Sequence, residues 1–396
     1  MKQQIKEDFE RVFPQDRLTK RERVLRTVAH QQVDRAVIHE QLSYNTAVVS
    51  HFSGRCFREF GFSPEHVGTA VRRTLDTCFP IFEMKGTDTV VTSDGFTVKN
   101  DNWTSWRIGR PFDDEHGAAR WLEARIIAME RTGFNDHTAV NVDGKEEHLS
   151  KRSFSAAKVR QEYRSYFHRL QELVGETVII DFSFTGFCDL YDAMGLEIFT
   201  FFCLEYPQLL RSYMEVSIYN ELQRVEAIAD PRLSPLILIP EDIATKMGPI
   251  FPPDFLDEFH FPYVRRLTEA WHRQGLRVIY HSDGNYRAVI PRLVDCGVDG
   301  FYCLEPACGM DIVDLKQHWP DMVWAGGIDG VDLMEQGTPD MVRAEVLRQI
   351  QETNALDSGG IFVATSSEIN PTTRLENFLA MIEAVGELRN SAFQHP

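Results

Sequence analysis

The feature that most constrains this 396-residue chain is a repeated unit, in which a short β-branched run ends in polar residues and a helical pattern usually follows. The runs lie at residues 36–40, 87–93, 177–180, 236–239, 277–280, 300–304, 323–328 and 360–364. Eight strands alternating with helices predict an α/β protein with a (β/α)8 TIM barrel. An open doubly wound sheet is the alternative, but no glycine-rich dinucleotide fingerprint follows an early strand.

The flanking segments complete a single barrel domain over residues 1–396. Residues 1–32 predict N-terminal helices, with Thr19 and Glu22 spaced as a capping box. Further helices are predicted at 206–228, 253–274, 338–356 and 373–388, with a kink at Pro262 in the second. Residues 97–175 interrupt the alternation. We therefore expect an insertion between the second and third strands, either a lid or surface padding.

Charge and composition exclude several classes of protein. The formal net charge of −17 disfavours nucleic acid as a partner. No apolar run is long enough to span a bilayer, and the polar start has no signal-peptide core, so we expect a cytoplasmic protein. Seven cysteines without a CxxC pair argue against structural disulfides. Cys303 falls within a strand pattern and is expected in the core.

Polar residues at the strand ends predict the functional site, because the carboxyl ends of parallel barrel strands meet at one mouth. These residues are His39, Glu40, Asp94, Asp181, Glu241, Asp242, His281, Asp283, Glu305, Asp329 and Glu368. Many carboxylates with one or two histidines suit a divalent metal or general acid–base chemistry.

The segment after the fifth strand is the centre of this prediction. His281 and Asp283, two residues apart, would share a face, and Glu241 from the preceding strand could join them. These three are the predicted catalytic residues and the predicted ligands of a metal such as zinc. Alternatively, His281 bonds the backbone and Asp283 begins an Asx turn. The predicted substrate contacts are Asp94, Asp181, Asp329, Glu368 and Tyr280.

Several segments together carry a family pattern. They are RERVL at 21–25, VDR at 33–35, DGFYCLEP at 299–306, GMDI at 309–312, GGID at 326–329, GTP at 337–339, Pro371 and LEN at 375–377. In this combination the chain resembles the uroporphyrinogen decarboxylase superfamily. The resemblance implies a (β/α)8 barrel and places the chain with either porphyrinogen decarboxylases or cobalamin-linked methyltransferases.

This chain departs from the motifs of both branches, and the departures indicate which branch it resembles more. The decarboxylases carry an arginine-rich motif after the first strand, whereas this chain has HEQLSY at 39–44. The methyltransferases often place His-x-Cys-Gly after the fifth strand and a cysteine after the eighth, which bind zinc. Here those places hold HSDG at 281–284 and Ser367. An oxygen-rich site suits polarising an oxygen better than activating a thiolate.

The resemblance therefore implies a methyltransferase of a demethylation system. It would move a methyl group from a small methoxylated or N-methylated compound to the cobalt of a partner corrinoid protein. No DxHxxG cobalamin motif is present, so the partner would carry the corrinoid. Zinc is a candidate metal, a homodimer is a candidate assembly, and neither nucleic acid nor membrane is expected as a partner. The alternatives are a decarboxylase or other lyase acting on a non-porphyrin substrate, and a binding or regulatory protein.

Overall fold

The computed structural model describes residues 13–57, 62–81, 86–135, 139–142, 145–148 and 152–393. Eight short strands, numbered along the chain, surround a common interior. They are β1 (Val37–Ile38), β2 (Thr77–Cys78), β3 (Val178–Ile179 and Asp181–Phe182), β4 (Leu236–Pro240), β5 (Arg277–His281), β6 (Gly300–Tyr302), β7 (Val323–Ile328) and β8 (Ile361–Thr365). Buried side chains such as Leu238, Ile279 and Phe362 fill the space that the strands enclose.

The strands pair in parallel around this interior. One curled seven-stranded sheet has the order β1-β8-β7-β6-β5-β4-β3. The remaining strand, β2, pairs with the first segment of β3, and His39 forms a parallel bridge to Thr77 at the start of β2. Pairing thus links β3 through β2 to β1, which gives a TIM-barrel-like α/β fold.

Helices cover the outside of the strands. Their bounds are Lys20–Val28, Thr46–Ser53, Pro64–Thr74, Glu115–Thr132, Ala156–Val174, Phe187–Met194, Leu196–Glu205, Pro207–Ile228, Pro253–Phe259, Phe261–Arg273, Ile290–Asp295, Ile312–His318, Pro339–Glu352, Ala355–Ser358 and Leu375–Glu387. A single π-helical turn covers Gly330–Glu335. In the described part of the chain, no helix is long and apolar enough to cross a membrane.

Local sequence signals account for several helix boundaries. Thr19 and Glu22 form the expected capping box at the first described helix. The predicted kink near Pro262 is a break at His260, which separates two helices. Pro262 has no amide hydrogen to donate, so it is tolerated in the first turn of the second helix. The predicted helices within residues 1–12 lie outside the described residues.

The second barrel strand differs from the prediction. Residues 87–93 do contain a strand, Thr89–Val91, but it belongs to an antiparallel sheet with Thr97–Asp101 and Thr104–Gly109. Its side chains are exposed, as expected of a strand outside the core. The barrel strand is Thr77–Cys78, and its two residues are too few to produce a recognisable pattern.

The segment between β2 and β3 holds this antiparallel sheet, the helix Glu115–Thr132, a hairpin of Ala139–Val142 and Lys145–His148, and the helix Ala156–Val174. The antiparallel sheet begins before residue 97, so the interruption of the barrel is longer than the predicted range. The tip of its second hairpin carries Trp103, whose ring lies 5.8 Å from the ring of Tyr44 after β1. The hairpin therefore reaches the rim of the barrel mouth.

Candidate active site

The loop after β5 is fixed by buried hydrogen bonds. The hydroxyl of Ser282, which is fully buried, donates to the Asp283 carbonyl (2.8 Å) and accepts from the Ile243 amide (3.1 Å). Gly284 has a φ of +75°, and a Cβ at this position would lie 2.6 Å from the Thr245 carbonyl oxygen. A short hairpin of Ala244–Thr245 and Gly248–Pro249 follows β4, and its close approach requires glycine here.

His281 projects from the end of β5 between two carboxylates. Its Nε2 lies 3.2 Å from Asp242 Oδ1 and 3.8 Å from Asp283 Oδ1. Asp242 Oδ1 also accepts a hydrogen bond from the Asp283 amide at 3.0 Å. Cys303, at the end of β6, joins them, because ligand atoms of His281, Asp283 and Cys303 all lie within 4.8 Å of one another. The structure thus brings together the predicted His281–Asp283 pair and adds Asp242 and Cys303.

This donor set fits a divalent metal. An imidazole nitrogen, a carboxylate oxygen and a cysteine thiolate are all ligands that zinc accepts. The predicted third ligand, Glu241, is replaced by Cys303. The Nδ1 atom of His281 is buried and has no hydrogen-bond partner within the described chain. The side chains of Asp242 and Asp283 are about half exposed, at 45% and 58%, so the cluster opens to solvent.

The charges in this cluster depend on one another. Burial opposes a proton on His281, but the hydrogen bond to Asp242 and the charges of Asp242 and Asp283 together raise the pKa of His281. Partial burial raises the pKa of Asp283, with Asp242 contributing in the same direction. Burial also acts on Asp242, yet its bond to His281 lowers the pKa of that carboxyl. Burial holds the pKa of the Cys303 thiol well above its usual range.

Glu241 is buried but does not point at His281, which corrects the prediction. Its Oε1 accepts from the amide and hydroxyl of Thr185, and its Oε2 accepts from the Cys188 amide (2.8 Å). The carboxylate therefore holds the start of the helix Phe187–Met194. Burial raises the pKa of Glu241 to about 7. The next residue, Asp242, occupies the place that Glu241 was expected to fill.

Two predicted substrate contacts lie on the outer face of the barrel. The Tyr280 hydroxyl is 2.8 Å from His260 Nε2 in the helical layer, and Tyr280 is fully buried there. Asp181 lies 3.8 Å from Arg224 of the helix Pro207–Ile228. Successive side chains of a strand point to opposite faces, and their neighbours Ile279 and Ile180 line the interior. Neither residue is therefore brought to the mouth.

Two further predicted contacts serve local structure. Asp94 lies in the turn between two strands of the antiparallel sheet, where its carboxylate accepts from the Thr92 hydroxyl (2.6 Å). Asp94 was expected at the end of the second barrel strand, because residues 87–93 were predicted to form that strand. The barrel strand is Thr77–Cys78 instead, so Asp94 lies elsewhere. Asp329 follows β7 as expected, but its Oδ1 accepts from the amides of Val331 (2.9 Å) and Asp332 (2.6 Å). It caps the π-helical turn.

Glu368 is the predicted substrate contact that the structure does place at the mouth. It follows β8, accepts from the Ser367 hydroxyl (2.7 Å), and its charge acts on both Tyr44 and His281. Beneath it, Glu40 is fully buried and accepts from the Thr365 amide at 2.5 Å. Burial raises the pKa of Glu40 to about 8, despite its hydrogen bonds to Thr365.

The sequence placed Asp242 only among the strand-end polar residues, without a specific role, and predicted no role at the site for Cys303. Asp242 stands beside Glu241 at the end of β4, and only the side-chain direction separates them. Cys303 was expected in the core, and it is buried, but its neighbour Tyr302 pairs with His281 across the sheet. That register brings the thiol beside Asp283. No spacing within the sequence encodes a cross-strand register, so no signal could have found Cys303.

Two of three comparisons with known proteins place the chain among relatives of similar fold or sequence. A search of curated protein sequences finds no match. Among solved structures, a methyltransferase from Methanosarcina mazei is 17% identical, with a TM-score of 0.62 over 93% of this chain and 99% of that chain. A B12-independent methionine synthase from Shewanella sp. W3-18-1 is 10% identical, with a TM-score of 0.40 over 78% of this chain and 94% of that one. At such identity the first likeness shows the fold alone.

The fold and the mouth define a TIM-barrel-like α/β protein of enzyme type, with histidine, carboxylate and thiol groups gathered at the strand ends. The family model for uroporphyrinogen decarboxylase (URO-D) matches residues 170–388, which is more than half of the chain. The chain belongs to this family. The resemblance seen in the sequence motifs is thereby confirmed.

Proposed function

We propose that the protein is a methyltransferase that takes a methyl group from a small methoxylated or N-methylated compound. The acceptor is the cobalt of a separate corrinoid protein. The observation that carries this proposal is the cluster of His281, Asp242, Asp283 and Cys303 at the open mouth of a URO-D barrel. Polar groups that converge at this end of the strands are where such barrels place their chemistry.

In this proposal His281 holds a proton or a metal at the leaving atom of the methyl donor. An alkoxide or phenoxide leaves an uncharged ether poorly, so its oxygen must be protonated or polarised. Asp242 accepts a hydrogen bond from His281 and orients the ring. A metal bound by His281, Asp283 and Cys303 would supply Lewis acidity at the same place.

The rim supports docking of a protein partner over the mouth. Three large apolar side chains stand exposed in the segments that follow β3, β4 and β7: Phe184 at 47%, Met247 at 93% and Val331 at 50%. Exposed apolar residues that surround a polar site are typical of surfaces that meet another protein. This position would let the partner bring its corrinoid to the substrate.

A methyl-transfer assay tests the proposal. Full-length protein is mixed with free cob(I)alamin as the acceptor and with a panel of methoxylated and N-methylated compounds. Methylation is followed by the change in corrinoid absorbance. We expect donor-dependent methylation from at least one compound, and loss of about a hundredfold or more in His281→Ala. Absence of transfer from every donor would overturn the proposal.

The alternative function, a decarboxylase or other lyase, is tested with the same protein samples. It predicts release of carbon dioxide from a candidate acid when no corrinoid is present. The carboxylates around His281 disfavour an acidic substrate, because like charges within a site repel.

Metal analysis separates a His281 that holds a proton from a His281 that holds a metal. The metal content of the purified protein is compared with that of the variants His281→Ala and Asp283→Asn. Zinc near one per chain that is lost in both variants supports the metal version.

A further inference from the structure

The helix Phe187–Met194 is bound on its exposed side by the insertion, the segment between β2 and β3. Three arginines of that segment contact it: Arg107, Arg110 and Arg125. The guanidinium groups of Arg107 and Arg125 share the carboxylate of Asp189, at 3.3 Å and 3.1 Å. Arg107 also pairs with Asp192, about one turn further along. The third arginine donates its Nε hydrogen to a carbonyl in the last turn, at 2.9 Å. The insertion therefore holds the helix over most of its length.

Another side of the same helix is hydrogen-bonded to the end of β4. The Glu241 carboxylate accepts a hydrogen bond from the Cys188 amide at 2.8 Å, in the first turn. The Tyr191 hydroxyl donates to the backbone carbonyl of Asp242. Because Cys188 and Tyr191 are three residues apart, they lie on one face of the helix. The helix thus connects the insertion to two neighbouring residues after β4.

Asp242 is the residue through which this helix reaches the candidate active site. Its Oδ1 lies 3.2 Å from His281 Nε2 and accepts a hydrogen bond from the Asp283 amide at 3.0 Å. Its backbone lies two residues beyond Pro240, the last residue of β4 that pairs with β5. The hydroxyl of Tyr191 therefore fixes the Asp242 carbonyl at a point that the paired strand does not reach.

We propose that the insertion positions Asp242 against His281 through the helix Phe187–Met194, with Tyr191 as the positioning residue. The sequence left the insertion as either a lid or surface padding, and this inference gives it a role at the site. The effect on catalysis rests on the proposed methyl transfer, whereas the effect on His281 does not. A catalytic group displaced by about 1 Å can lose about a hundredfold in rate.

The nitrogen NMR signals of the His281 ring report its hydrogen bond to Asp242 without any assay of activity. Full-length, EDTA-treated protein is labelled with 15N-histidine, and the His281 signals are identified by their loss in His281→Ala. Asp242→Asn should shift the Nε2 signal, because the charged acceptor is removed. We expect Tyr191→Phe and the double variant Asp189→Asn/Asp192→Asn to shift it in the same direction, by smaller amounts.

A matched variant controls for the loss of an exposed ion pair. Arg266→Ala breaks a pair with Glu215 at 2.8 Å, on other helices, and should leave the His281 signals unchanged. The double variant changes only exposed side chains, at 46% and 64%, so it tests the inference even if Tyr191→Phe fails to fold. An unchanged His281 signal in either test variant, once folded, would overturn the inference.

Steady-state kinetics separate this inference from the proposed function. Tyr191→Phe should lower kcat for methyl transfer by about tenfold and leave KM unchanged, because the hydroxyl orients Asp242 and does not contact the substrate. An unchanged kcat, or a change confined to KM, would contradict the positioning role. If no donor is methylated by any variant or by the unsubstituted protein, the proposed function fails, and the His281 signals still decide whether the insertion positions Asp242.

Discussion

The charged side chains are fully paired at the amino end of the barrel and incompletely paired at its mouth. At the amino end, Arg23 and Arg35 converge on Asp76, with contacts of 2.7 Å and 2.6 Å, and all three side chains are almost fully buried. Arg23 also binds Asp34 at 2.7 Å. Burial alone would favour a neutral Asp76, but Arg35 and Arg23 hold the pKa of Asp76 well below its usual range. Each of these four side chains has a partner of opposite charge.

At the mouth, by contrast, the carboxylates of Asp242 and Asp283 lie beside His281. Among the described residues, one buried nitrogen of His281 has no hydrogen-bond partner, and Asp242 and Asp283 remain half exposed. Complete pairing stabilises the fold and leaves nothing for a ligand, whereas incomplete pairing leaves groups that can bind or exchange protons. The residues of the N-terminal family motifs, Arg23, Asp34 and Arg35, therefore serve stability rather than substrate binding.

The largest expected effect is loss of stability at the amino end. Asp76→Ala would leave two buried guanidinium groups short of a partner, so we expect the free energy of unfolding to fall by about 3–5 kcal/mol. Urea denaturation measures it. Asp314→Ala breaks the exposed pair with Arg287 and should cost about 1 kcal/mol or less. Similar losses in the two variants would remove the distinction between buried and exposed pairs.

A second variant tests the mouth without unfolding the protein. Asp242→Asn removes the carboxylate that orients His281, and we expect methyl transfer to fall by about 10- to 100-fold. Since Asp242 is half exposed, its urea midpoint should change little. A large loss of stability with unchanged activity would assign Asp242 to the structural class of Asp76.

Glu40, a buried carboxyl near the mouth, should make the free energy of unfolding depend on pH. Its folded pKa of about 8 exceeds its ordinary value of 4.5, so the folded state binds this proton more tightly. The stability that it contributes is full below 4.5 and is lost as the pH rises through 8. Glu40→Gln should therefore flatten the decline of unfolding free energy over this range by about 1 kcal/mol or more. Glu241, with a folded pKa of about 7, should leave a residual slope. An unchanged slope in the variant would contradict the role of Glu40.

The smallest effect is expected at Tyr280. Its hydroxyl contacts His260 in the helical layer, so Tyr280→Phe should cost about 1 kcal/mol of stability. Methyl transfer should be unchanged, because the side chain faces away from the mouth. Altered affinity for the methyl donor would return Tyr280 to the substrate site.

Features set by neighbouring residues in the sequence could be predicted, whereas features set by contacts between distant segments could not. Strand runs such as 277–280 and 323–328 are local patterns of buried side chains, and the structure contains them. Thr77–Cys78 is too short to form such a pattern and is fixed by its pairing with Val178–Ile179. His281 is the last residue of β5 and Asp283 follows it after one residue, so the two could be predicted together. The direction of Glu241 and the position of Cys303 depend on contacts between strands, which no local spacing encodes.

The central claim is that the mouth, through His281, performs methyl transfer while the amino end maintains the fold. The most direct test compares His281→Ala with His272→Ala, since His272 also contacts an aspartate, Asp299, at 2.7 Å, away from the mouth. Initial rates of cob(I)alamin methylation and urea midpoints are measured for both variants. The account predicts about a hundredfold loss of rate in His281→Ala only, with a midpoint close to that of the unsubstituted protein. Equal rates in the two variants would contradict it.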